Sequence, residues 1–459
     1  MKRVSLIFAL SATLIVIGCE KREPVQKVPK TFSTGTHEKT TDTSVFKTSE
    51  KDQFHRNSKI ESAGKRRLTD FGRNTGHTFP DQTSASLEER VNGPGFDTLK
   101  IPLSNFMPLK SYTFPFDYEN DIQALKRLYQ EHGLDKILTD NLSQLGMARA
   151  IAQYTHNFLK DGTPPSADSW MNDTFPSAEM ITKLKKEKNI GGLSDHYAAL
   201  FCQLCLSCGM VARIVGMHTI GENGELLAHS VSEIYHNSLN KWIVIDPYEQ
   251  ATYYLRDNIP LSAYELRELM LKNHYEDIKP IVSAGDIADI YRVRENLLPR
   301  YENLYVWRMN DILSKSGRGK SITWQELFSS HLVWEDEYAA IADGGYERLN
   351  KFTSKDDPGH PLNGVRFVTH DVSEFNWAIN NVIIDFKRLD NENIRIYLDT
   401  ITPNFDHYVL NVENSGGSEP YRITGNQIDL NFLSMDIYVN SVNKLGYPGP
   451  MFHVVLSLL

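Results

Sequence analysis

The sequence predicts an α+β domain followed by a C-terminal all-β sandwich, and three observations predict it. Between Ile122 and Cys208 apolar residues recur at helical spacing. Between Val211 and Asp246 they fall into short strand-like runs. From about Gly364 onward, alternating segments are separated by clusters of Asn, Gly, Ser and Pro, the texture of a sandwich. A chain of 459 residues is also too long for one typical domain.

Lys2 and Arg3 precede an apolar run, Val4 to Ile17, that is short for a membrane span. The run ends in Val16-Ile17-Gly18-Cys19, which resembles a bacterial lipobox and implies lipidation of Cys19. Residues 1–18 are therefore expected to be a lipoprotein signal peptide. The lipid would hold soluble domains at a membrane of the cell envelope, periplasmic or surface-exposed. Residues 19–95 are rich in Ser, Thr, Lys and Asp with few large apolar side chains, as expected of a disordered tether. A net charge of −9 argues against nucleic acid as a partner.

The expected core domain covers 96–350. Ile122, Leu125, Leu128 and Tyr129 mark one helix face, with Gly133 ending the helix. Met147, Ile151, Tyr154 and Phe158 mark a second. Pro176-Ser177 reads as a helix start, with Met180, Ile181 and Leu184 on its buried face. Asp195 to Cys208 reads as a helix stopped by Gly209. Val211 to Gly216 reads as a strand, and His229–Tyr235 and Trp242–Asp246 as a hairpin. Arg256 to Asn350 is expected to be mostly helical, an extension of this domain. In the sandwich, expected over 364–459, Ile394, Ile396 and Leu398 alternate with Arg395 and Tyr397, and Ile437 and Val439 with Asp436, Tyr438 and Asn440. Trp377, Tyr397 and Tyr438 are candidates for a sugar or protein platform, with core packing the default for strand aromatics.

Besides Cys19, the only cysteines are Cys202, Cys205 and Cys208. Their spacing superficially suits a metal, but on a helix with Leu204 they read as buried small hydrophobes. No metal and no other cofactor is expected.

Three residues form the candidate site. Ser194 falls at the start of the Asp195–Cys208 helix, where the helix dipole favours developing negative charge. An ordinary helix-capping serine would stand at the same place. A two-residue turn at Asn237-Ser238 would put His229 directly across the hairpin from Asp246, close enough for a carboxylate–imidazole hydrogen bond, and a longer turn would shift this by a residue but leave them neighbours.

Gly192-x-Ser194-x-x-Tyr197-Ala198-x-Leu200-Phe201, Gly209-x-x-Ala212-Arg213-x-x-Gly216, His229-x-x-x-Glu233-x-Tyr235 and Trp242-x-x-x-Asp246-Pro247 together resemble the transglutaminase-like superfamily. The resemblance covers roughly Glu119 to Leu266. It implies a papain-like core in which a helix presents a catalytic cysteine and neighbouring strands a histidine and an aspartate. His229 and Asp246 match the last two. Ser194 stands in the cysteine position, and Val231 where many members carry an aromatic residue.

A cysteine in that position forms a thiolate at neutral pH. A serine must pass its proton to the histidine during attack, so it needs tight base geometry and an oxyanion hole. Its shorter side chain also reaches less far, and small misplacements are costly. The sequence therefore favours a degenerate, non-catalytic module that binds a peptide, protein or glycan-linked partner. The alternative is an envelope amide hydrolase or acyltransferase with Ser194 as nucleophile, His229 as base and Asp246 as orienter.

Overall fold

Strand β1 (Leu99–Ser104) opens the described chain, and helices α1 (Ile122–Glu131), α2 (Gln144–Leu159), α3 (Ala178–Lys188) and α4 (Ser194–Ser207) follow. The computed structural model describes residues 99–104, 116–139, 142–163, 174–220, 226–249, 252–282, 301–317, 322–323, 330–334, 336, 367–414, 417–431 and 434–458. The expected signal peptide, Cys19 and tether lie outside the described residues. Among the described residues, no helix is long and apolar enough to cross a membrane.

Side-chain caps start three of these helices. Asp121, Ser143 and Ser177 accept from Ala124 N, Gly146 N and Met180 N respectively. Helix α4 differs, because every residue from His196 to Ser207 is buried. A helix apolar all round belongs inside a core. Helices α1, α2 and α3 pack on one side of it, and a sheet packs on the other. Cys202 and Cys205 are buried within this core, and Cys208 is partly buried at its edge. Burial pushes all three thiols above the ordinary range. The helix stops at Gly209, whose φ of 82° and close approach to Tyr447 both exclude a Cβ.

The sheet has six strands: β2 (Ala212–Ile220), β3 (Leu226–His236), β4 (Lys241–Ile245), β5 (Asn303–Val306), β6 (Leu332–Trp334) and β7 (Phe367–Thr369). Their order is β7-β6-β5-β2-β3-β4. Ile214, Ile234, Ile243 and Ile245 face α4. Val215, Val231, Tyr235, Trp242 and Val244 face a second core with Tyr254, Leu266, Trp334, Phe375 and Trp377. Both faces are thus covered, which explains why β2 and β4 read as continuous apolar runs rather than clean alternations. Gly216 leaves room for Tyr305, whose ring atoms would lie 2.0 Å from an added Cβ.

The sandwich is formed by β8 (Val382–Arg388), β9 (Asn393–Thr400), β10 (Phe405–Asn414), β11 (Gly417–Ile423), β12 (Gln427–Asn431), β13 (Ser434–Asn443) and β14 (Phe452–Leu458). One sheet runs β8-β9-β12 and the other β1-β14-β13-β10-β11. Ile394, Ile396, Leu398, Ile437 and Val439 meet in the core between them, as their alternation predicts. The fold is therefore α+β with a C-terminal β-sandwich.

Several local expectations are corrected. Arg256–Asn350 is not mostly helical where it is described. It supplies β5 and β6 and the short strands Ile259–Pro260, Lys279–Ile281, Met309–Asn310 and Ile322–Thr323, alongside the helix α5 (Ala263–Leu271) and a short helix Ile312–Gly317. Sequence segments and layers also do not coincide: β1 joins the sandwich, whereas β7, Phe375 and Trp377 complete the second core of the α+β domain. Met180 is 48% exposed instead of buried, because α3 turns Ala178, Ile181 and Thr182 inward. Trp377 and Tyr397 are buried and form no exposed platform. Tyr438 stacks its ring on His453, with centroids 4.1 Å apart.

Candidate functional site

The hairpin is built differently from the simplest expectation, yet it brings His229 and Asp246 together. The turn is not two residues long. Asn237–Leu239 forms a 3-10 turn closed by Asn240 in the left-handed region, at φ 50°. The observed register pairs Ser232 with Ile245 and Tyr235 with Trp242. Continued outward, that register would place Asp246 opposite Val231, so His229 lies diagonal to it rather than across from it. A shift of two residues preserves the face of the sheet, whereas a shift of one would have separated the pair. The diagonal is short enough for His229 Nε2 to meet Asp246 Oδ2 at 2.7 Å.

Asp246 is held tightly. It is fully buried, and its other oxygen accepts from Tyr248 N at 2.9 Å and Glu249 N at 3.0 Å. An ionised carboxylate accepts only, so Nε2 carries the proton in the neutral ring and Nδ1 keeps the lone pair. Nδ1 is therefore the nitrogen that could take a proton from a nucleophile.

Ser194 is the first residue of α4, and Leu193 is its N-cap. The capping reading of Ser194 is thus replaced by another arrangement. Leu193 N donates to His196 Nδ1 at 3.1 Å, a bond a neutral ring can accept. Burial pushes His196 down to about 4, which keeps it neutral. The Ser194 hydroxyl instead accepts from Ser230 N at 3.2 Å. Alternation along β3 explains the geometry. Tyr235 N points to β2, where it donates to Val211 O, so Ser230 N points to the opposite side. There β4 has already left the ladder, since Asp246 turns away to pair with Thr252. The hydroxyl fills the vacated place on the strand edge. No hydrogen bond joins Ser194 to the His229 imidazole among the described residues.

Three further residues belong to the site and carry no signal strong enough to single them out in the sequence. Asp195 keeps some exposed surface, but its carboxyl is enclosed and pushed above the ordinary range by burial, with opposing contributions from Ser230 and His229. Tyr248 lies edge-on to His229, centroids 5.6 Å apart, and edge-on to Tyr197 at 5.0 Å. His156, in the last turn of α2, meets Tyr248 O at 3.1 Å and Pro247 O at 3.3 Å through Nδ1. No spacing rule links His156 to residues so distant in the chain, so only the position of Asp195 beside Ser194 offers a hint. Among the described residues, no group of three or more His, Cys, Asp and Glu side chains is placed to hold a metal ion.

The N-terminus of α4, His229 on β3 and Asp246 just past the end of β4 thus bring a hydroxyl, an imidazole and a carboxylate to one edge of the sheet. Residues 134–247 match the family model of the transglutaminase-like superfamily, so the chain carries a transglutaminase-like domain. Among solved structures it is similar to red sea bream transglutaminase at 10% sequence identity and a TM-score of 0.24, over 71% of this chain and 60% of that one. The chain thus spans less than two thirds of the length of that structure. No curated protein matches the chain.

Proposed function

We propose that the transglutaminase-like domain is a degenerate, non-catalytic module that binds a peptide or glycan-linked partner at a bacterial cell envelope, held at a membrane face by lipid on Cys19. The observation that supports the loss of chemistry is the partner of Ser194. Its Oγ receives a backbone N–H from Ser230, and among the described residues no hydrogen bond joins it to the imidazole. That bond draws on an oxygen lone pair and holds the hydroxyl against the strand, without a hydrogen bond to the base that would have to take its proton. The His229–Asp246 bond favours the second reading, a Ser–His–Asp amide hydrolase or acyltransferase. It supplies a base and an orienter but no contact to the nucleophile.

Ser194→Cys separates the two parts of this reading. A thiol at the α4 N-terminus near His229 is expected to alkylate rapidly with iodoacetamide and to titrate below about 8.5. The buried thiols of Cys202 and Cys205 and the partly buried, raised thiol of Cys208 provide a quiet background, and peptide mapping locates the adduct. If the thiol introduced by Ser194→Cys titrates as an ordinary one, that contradicts the reading of this site as a nucleophile site that has lost its nucleophile.

A further inference from the structure

Within the site just proposed, the imidazole is 3% exposed and Asp246 is fully buried, although Ser194 beside them is only partly buried. Something other than the helix terminus therefore shields the pair. A side chain in position to do so is Tyr248, whose ring meets His229 edge-on with centroids 5.6 Å apart and which is itself 39% exposed. Its ring meets His229 at an interplanar angle of 69° and Tyr197 at 83°. Tyr197 is in turn backed by the loop before α4, where a Cβ on Gly192 would come within 3.1 Å of the Tyr197 ring.

The backbone of Tyr248 is anchored as firmly as its ring is exposed. Its N–H donates to Asp246 Oδ1, and its carbonyl faces His156 Nδ1 from helix α2. A side chain fixed at its root, packed edge-on to two rings and open to solvent on its outer side has the form of a lid that swings about χ1 while its turn stays put. We infer that Tyr248 is an aromatic lid over the His229–Asp246 pair, and that a partner's side chain reaches the imidazole only when this ring moves aside. The inference rests on the site proposed above and adds its control element. It also assigns the outward face of Tyr248 as the surface a bound partner meets first.

Carbethoxylation with diethyl pyrocarbonate tests the lid on the whole folded protein, with His229 read by peptide mapping and His274, whose side chain is 52% exposed, as the internal reference. His229 is expected to react far more slowly than His274. Tyr248→Ala is expected to raise the His229 rate by at least about tenfold and leave His274 unchanged, whereas Tyr248→Phe keeps the protection because the ring and not its hydroxyl shields the imidazole. Equal rates at His229 and His274 in the natural protein, or an unchanged His229 rate in Tyr248→Ala, would overturn the inference. The readout is independent of Ser194, so failure of the lid and failure of the non-catalytic reading remain distinguishable.

Discussion

Arg213→Met is expected to destabilise the folded chain by about 3–5 kcal/mol, the range for breaking a buried ion pair from one side. The guanidinium is fully buried. It pairs with Glu233 at 2.5 Å, donates to Phe375 O at 2.7 Å, and lies 4.1 Å and 4.3 Å from the rings of Trp242 and Trp377. Burial pulls its pKa down, and the Glu233 carboxylate opposes that pull. Glu233 also accepts from Ala263 N at the start of helix α5. The Arg213–Glu233 pair thus ties β2 to β3, to α5 and to the segment that leads into the sandwich. Removing Arg213 strands the Glu233 carboxylate in a fully buried place. Adding Glu233→Gln to Arg213→Met is therefore expected to recover part of the loss, because the orphaned charge goes with it. Chemical denaturation followed by tryptophan fluorescence measures both. A loss below about 1 kcal/mol for Arg213→Met would place the pair among weak surface bridges and contradict this account.

Acid is expected to destabilise the protein well before its ordinary carboxylates protonate. Burial pushes His132 and His196 down to about 4 and His331 to about 3. All three are neutral in the folded state. His132 sits between Tyr154 and Thr182, and His331 stacks on Tyr305 and Trp307. Their folded values lie below the unfolded value of 6.5, so the unfolded chain binds more protons between pH 6.5 and about 4. Stability is present above that window and falls as pH drops through it. Asp195, Asp311 and Asp399 act in the opposite sense, since burial raises them, Asp399 to about 7. Each fully expressed histidine contribution is of order 3 kcal/mol. The net expectation is a lower denaturation midpoint at pH 4.5 than at pH 7.5, with the difference reduced in His331→Phe. A midpoint that rises on acidification would show that the raised carboxyls dominate instead.

Much of the architecture is legible in the sequence because it rests on local patterns. The helix start at Pro176-Ser177, the helical spacing before Cys208 and the period of two in β9 and β13 each rest on a local cap or on how one element buries one face. The stretch after Arg256 misleads because its strands are two to four residues long and those of the main sheet are buried on both sides, so they carry no alternation. The His229–Asp246 pair is predicted through a turn that does not exist. It survives because the real four-residue turn moves the register by an even number. The contact between Ser194 and Ser230 is not legible. It depends on where β4 leaves the ladder, which is set by the Asp246–Thr252 bridge and not by any property of Ser194. Tyr248 and His156 are hidden for a related reason, since they meet the site through backbone carbonyls and ring edges.

The proposed function requires that this site keep the base and orienter of a nucleophile–histidine–aspartate triad but lack a working nucleophile. Intact-mass analysis of the natural protein after exposure to a fluorophosphonate tests it most directly. No adduct is expected at Ser194, with or without His229→Ala. A stoichiometric adduct on Ser194 that disappears in His229→Ala would contradict it and establish a serine enzyme.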